Sequence, residues 1–171
     1  LFPYTTLFRS LLGNYMHVDP RNVHAYVIGE HGDSEFIPWS NAMVSTKSVL
    51  SILEESNGAF NQEHLASIEE DVRTAAYRII EAKRATYYGI GMSLNRITKA
   101  ILGDECSVFT VSANLRGEYG QSGVFVGVPC IINQNGIQKI LEISLTKEEK
   151  EKFDASCEAL RANFEELDGK E

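Results

Sequence analysis

From Leu65 to Ile101 apolar side chains recur at steps of three and four, and any fold of this chain must bury one stripe of a long helix. Leu65, Ile68, Val72, Ala75, Ala76, Ile79 and Ile80 share that stripe, which continues through Tyr87, Ile90, Leu94, Ile97 and Ile101. Asn61 stands where an N-cap belongs, and Gly103 ends the pattern. Gly89 and Gly91 fall inside it. Each weakens a helix by about 1 kcal/mol relative to Ala, so one long helix with a bend or close backbone packing near them is expected.

Around this stretch the period changes. Asn22 to Ile28 alternates, with Val23, Ala25 and Val27 on one side and His24, Tyr26 and Ile28 on the other, which predicts a strand. It runs into the turn Gly29-Glu30-His31-Gly32-Asp33. The segment from Trp39 to Glu55 reads as helical in its second half and breaks at Asn57-Gly58. Short β-like runs follow at Val108–Val111, Val124–Val126, Cys130–Ile132 and Ile137–Ile143. Asn135-Gly136 between the last two predicts a hairpin in which both residues take positive φ. Thr146-Lys-Glu-Glu149 has the form of a capping box. Phe153, Cys157, Leu160 and Phe164 then recur at helical spacing. The whole predicts one α+β domain over residues 11–171. Residues 1–10, LFPYTTLFRS, carry no clear period and read as a foreign or disrupted segment.

The formal charge of −8, from 24 acidic and 16 scattered basic residues, argues against a nucleic-acid or anionic-membrane binder, which needs clustered cations. No apolar run approaches the roughly 20 residues of a membrane span. Cys106, Cys130 and Cys157 are odd in number and widely spaced, unlike a disulfide framework or a zinc site. They are expected to be small, reduced, apolar residues in a cytoplasmic protein.

His31 is the strongest candidate for chemistry. An imidazole held at a strand end by a tight turn suits proton transfer near neutral pH, although a plain surface turn uses the same residues. A hydrolase triad of Ser34, His31 and Asp33 is rejected, because triads assemble from separated segments. His17, His24 and His31 lie seven apart, which on a strand turns them to opposite faces, so a metal site is rejected too. No Gly-rich phosphate loop follows a strand. A dinucleotide, if used, must be held mostly elsewhere.

The run Gly29-Glu-His-Gly-Asp-Ser-Glu35 with Pro38-Trp39-Ser40 resembles the active-site histidine segment of the L-lactate dehydrogenases. The likeness continues in order through Lys83-Arg-Ala-Thr-Tyr-Tyr-Gly-Ile-Gly91, Arg96 to Leu102, Val111-Ser-Ala, Gly117-Glu-Tyr-Gly120, Val126-Gly-Val-Pro129 and Asn133-Gln-Asn-Gly136. It implies a substrate-binding C-terminal domain of bacterial type, with a long bent helix and a C-terminal helix on a mostly antiparallel sheet and no Rossmann domain. It also implies NAD-dependent interconversion of pyruvate and (S)-lactate, in which His31 gives or takes the proton while the cofactor carries the hydride. Thr86 matches a position lining the substrate pocket; from its residue type alone it would be placed in a helix core. Arg9 and His24 match positions that bind fructose 1,6-bisphosphate, an activator of many bacterial members, at a subunit interface, and His24 could equally be an ordinary strand residue. A homotetramer is implied for the intact enzyme.

The chain departs from the pattern at two places that matter. The family has an Asp that orients the catalytic His and an Arg that forks onto the substrate carboxylate; here those positions hold Tyr4 and Leu7. Loss of a bidentate charged anchor costs several kcal/mol, so the chain alone is expected to be inactive. Arg84 stands where relatives commonly have Gly. The rival readings are a malate or other L-2-hydroxyacid dehydrogenase, against which Glu30 and Trp39 speak, and a non-catalytic fragment that joins intact subunits.

Overall fold

The computed structural model describes residues 2–168. Helix α1 (Phe2–Met16) leads into the short strand β1 (Val23–His24) and the turn that carries His31. Two further short strands, β2 (Met43–Val44) and β3 (Lys47–Ser48), pair antiparallel with β1 in the order β1-β2-β3. Helices α2 (Val49–Glu55), α3 (Gln62–Lys83) and α4 (Tyr88–Leu102) come next. The large antiparallel sheet follows, β4 (Ser107–Arg116), β5 (Ser122–Asn133) and β6 (Gly136–Ile140) in that spatial order, and α5 (Lys147–Asp168) closes the fold. This is the α+β architecture expected. Among the described residues no helix is long and apolar enough to cross a membrane.

Two apolar clusters form the core. One joins the large sheet to α4 and α5 through Ala100, Phe109, Val126, Val128, Phe153 and Cys157. The other packs α1 against α3 and the small sheet through Phe8, Leu12, Val23, Leu65, Ile68 and Val72. Residues 2–10, without a clear period in sequence, form the first turns of α1. Thr5, Phe8 and Leu12, at steps of three and four, put that side of the helix in the interior. The Thr5 Oγ1 accepts from the Val27 amide at 3.1 Å.

The expected single long helix is two. Asn61 caps α3 as predicted, in a reciprocal pair with His64. The break comes at Arg84, which takes φ 64° while its amide donates to the Ile80 carbonyl at 2.7 Å. Gly89 and Gly91 lie within α4, and a Cβ added at either would meet open space, so neither bends the chain nor admits a close neighbour. The hairpin at 133–136 also differs. Only Gly136 takes positive φ, at 93°, and the register slips between Ile131 and Ile132, so a bulge relieves the turn in place of two left-handed residues. The strand expected over Asn22–Ile28 is regular only at Val23–His24, with Ile28 bridged to Phe36. Val124 to Ile132 is one continuous strand. All three cysteines are free; Cys130 and Cys157 are buried and their thiols are pushed up to about 11 by burial, whereas Cys106 is exposed.

The capping box at the start of α5 does more than cap. The Thr146 amide donates to Glu149 Oε2 at 2.9 Å, and the Glu149 amide to Thr146 Oγ1 at 3.2 Å. The same carboxylate also accepts from the Ser40 amide at 2.9 Å and its hydroxyl at 2.6 Å, pinning α5 to the segment after the His31 turn. Burial pushes the Glu149 carboxyl up, but the hydrogen bonds from Ser40 and Thr146 outweigh it and hold the group below its usual range.

Two predictions follow from this geometry. Replacing Glu149 with Gln should lower stability by about 1–3 kcal/mol in urea unfolding at pH 7. Because the folded-state carboxyl is more acidic than the unfolded one, that contribution is present above about pH 4.3 and lost as pH falls through the folded value, so the variant and parent should converge in acid. Arg84→Gly should stabilise the chain by about 0.5–1 kcal/mol, since Gly takes the left-handed cap without a Cβ penalty; a lower unfolding midpoint would contradict the break at that residue.

Candidate functional site

The His31 turn is built by pairing at its base. Ile28 and Phe36 exchange two amide–carbonyl bonds of 3.0 Å, closing a loop over residues 29–35. Gly29 then exchanges two bonds of 2.9 Å with Gly127 in β5, at φ 101°, a conformation that favours glycine. A Cβ at Gly29 would stand 2.6 Å from the Ser156 Oγ of α5. The turn thus rests on both the large sheet and the last helix.

His31 projects from the tip with its side chain about half exposed. Its Nδ1 lies 3.8 Å from Glu35 Oε2. The Glu35 side chain is only 4% exposed, and its Oε2 has no hydrogen-bond partner among the described residues. Among the described residues His31 is the basic side chain within 4 Å of this buried carboxyl group. The Tyr4 ring meets the imidazole edge-on, centroids 5.0 Å apart. Burial, then the Glu35 charge, raises the Tyr4 phenol above its ordinary value, so Tyr4 is neutral at pH 7 and offers no charge where the family pattern has Asp.

A cavity of about 320 Å³ opens beside His31. Its walls come from α1 (Tyr4, Leu7), the end of α3 (Ile79, Lys83), and the break and start of α4 (Thr86, Ile90). It is of ligand size and mostly apolar, with His31, Thr86, Lys83 and tyrosines as its polar groups. Thr86 is half-buried in the break between α3 and α4, not in a helix core. His31 and Thr86 therefore line the same cavity. Leu7, where the pattern has Arg, lines it too and brings no charge. Arg9 and His24 lie outside this cavity. Arg9 Nη2 donates to the Pro20 carbonyl at 3.2 Å, and its Nε is buried without a partner among the described residues. Burial raises the Tyr26 phenol and the nearby Arg9 charge pulls it partly back, while His24 is exposed.

Sequence reasoning missed Glu35 and Ser156. Glu35 was visible only as a motif member; nothing in its neighbours signals burial against His31. Ser156 sits in an ordinary helix pattern, and only tertiary packing brings it to the turn.

Comparison with known proteins agrees with the geometry. Residues 5–170 match the lactate/malate dehydrogenase, alpha/beta C-terminal domain family. The chain is 53% identical over 154 residues to L-lactate dehydrogenase 1 of Bacillus cereus, covering 90% of this chain and 49% of that protein. Among solved structures it resembles the minor L-lactate dehydrogenase of Enterococcus mundtii (TM-score 0.90, 45% identity, 94% of this chain and 51% of that one). It also resembles the lactate dehydrogenase of Cryptosporidium parvum solved with lactic acid and nicotinamide adenine dinucleotide (TM-score 0.92, 27% identity, 98% and 53%). The chain spans about half the length of the relatives it matches. It belongs to the lactate/malate dehydrogenase family, and what it carries is that family's alpha/beta C-terminal domain.

Proposed function

We propose that the chain is the substrate-binding half of an NAD-dependent L-lactate dehydrogenase that interconverts pyruvate and (S)-lactate. The observation that carries this reading is the meeting of His31 and Thr86 at one ligand-sized cavity, in a chain 53% identical to such enzymes. The relative from Cryptosporidium parvum was solved with lactic acid and the dinucleotide, which supports the same ligands here.

In this reading His31 moves the proton. With Nδ1 turned to Glu35, the other ring nitrogen faces the substrate oxygen, donating when pyruvate is reduced and accepting when lactate is oxidised. Thr86 and the apolar wall shape the space beside the reacting carbon. The nicotinamide cofactor supplies the hydride from a nucleotide-binding half that these residues do not include. Arg9 and His24 form part of a fructose 1,6-bisphosphate site, a guanidinium and an imidazole that can both donate to phosphate oxygens. The intact enzyme is a homotetramer in the cytoplasm, and Tyr4 and Leu7 stand in the first turns of α1 where the family pattern has Asp and Arg.

A second reading, a non-catalytic fragment that joins intact subunits, draws on the exposed apolar side chains of α4. Tyr88 is 81% exposed and Leu102 82%, with Met92 and Leu94 also open to solvent. Co-purification with an intact relative, without gain in turnover, would favour it.

The chain alone should show no NADH-dependent reduction of pyruvate. Joined to the first half of the Bacillus cereus enzyme, with Tyr4→Asp and Leu7→Arg, it should turn over, and His31→Gln should then cut kcat by about 10²–10⁴-fold. An active joined enzyme indifferent to His31→Gln would refute the assignment.

A further inference from the structure

We infer that Ser156, on the C-terminal helix, is a positioning residue that fixes the backbone on both sides of His31. This rests on the reading of His31 as the proton-transfer residue. Ser156 is fully buried, yet its hydroxyl is occupied entirely by the His31 turn. Its Oγ accepts from the Glu30 amide at 2.7 Å and donates to the Ser34 carbonyl at 2.9 Å. It also lies 2.9 Å from the Ser34 Oγ, which in turn donates to the Glu30 carboxylate. One hydroxyl thus ties the residue before His31 to the residue three beyond it, across a loop whose own cross-links are the Ser34–Glu30 side-chain bond and the 3.3 Å bond from the Glu35 amide to the Gly32 carbonyl.

The physical need is clear. A turn of this length with glycines at 29 and 32 has many backbone states, and proton transfer demands one. The pairings of Ile28 with Phe36 and of Gly29 with Gly127 hold the loop's base. Ser156 holds its flanks, and so sets the direction in which the imidazole leaves the backbone. The fit is mutual, because any side chain at Gly29 would strike the Ser156 hydroxyl. Glu149, two turns earlier on the same helix, grips Ser40 after the loop. Helix α5 therefore clamps the active-site segment at two points, and Ser156 is the one at the histidine.

The test uses the 171-residue chain in solution, so it does not depend on turnover. In the parent, the Glu30 amide should exchange with solvent about 100-fold or more slowly than an open loop amide, and the His31 ring protons should show contacts to the Tyr4 ring by NMR. Ser156→Ala should abolish the protection and the ring contacts. Ser156→Thr, which keeps the hydroxyl, should retain both. Phe153→Leu, at a fully buried site on the same helix, should lower the melting temperature while leaving the His31–Tyr4 contacts intact. Rapid exchange of the Glu30 amide in the parent would overturn the proposal even if every variant failed to fold. Unchanged ring contacts in Ser156→Ala would overturn it as well. Failure of His31→Gln to reduce turnover in the joined enzyme would instead refute the role of His31 and leave the clamp standing.

Discussion

Two hydrogen bonds between Gly29 and Gly127 join the turn that carries His31 to the middle of the large sheet. The rest of the site hangs from them. Residue 127 lies in β5, whose neighbours Val126 and Val128 are buried to 1% and 0% exposure, so the turn is docked on the most protected strand of the fold. A loop that bears a reactive group is ordinarily among the least stable parts of a protein. Here its base is part of the core. Its flanks are held by Ser156, and the wall opposite is supplied by α1 and the α3–α4 break, so one imidazole is placed by segments from across the chain.

Much of this was legible in the sequence, for identifiable reasons. Asn61 and the Thr146–Glu149 box act locally and start their helices as their chemistry dictates, while Gly103 ends α4 in a right-handed conformation and Asp104 takes the left-handed one. The alternation of Val23, Ala25 and Val27 against His24 and Tyr26 marked the buried side, but it failed at Ile28, which was placed with His24 and is fully buried where it bridges Phe36. The helix break was misplaced because glycine is a permissive residue, not a compelled one. Gly89 and Gly91 fit an open helix face, while Arg84 is forced left-handed where the chain must turn towards the cavity. The Asn-Gly hairpin resolved its twist through a bulge, an alternative that the dipeptide alone does not distinguish. At the site, the His31 motif and Thr86 could be named in advance. Glu35 and Ser156 could not, since a buried carboxylate and a helix serine gain their roles only from partners that folding brings up.

Volume and charge are separate demands on the wall beside His31. Tyr4 and Leu7 line that wall from α1, whose Phe8 and Leu12 are fully buried. Packing and electrostatics are separable at these positions. Apolar burial needs only volume, whereas holding a small anion needs a fixed opposite charge. Lys83 is the fixed cation lining the cavity among the described residues, and His31 is faced by the buried Glu35 carboxyl group.

Native-state hydrogen exchange at the amides of Gly29, Phe36 and Gly127 tests most directly whether the His31 turn is anchored by the core. If it is, these amides should exchange only with global unfolding, at the same free energy as the Val126 and Val128 amides and with the same dependence on denaturant. Exchange of Gly29 and Phe36 through a local opening, at low free energy and without denaturant dependence while β5 stays protected, would contradict it and leave His31 on a loose loop.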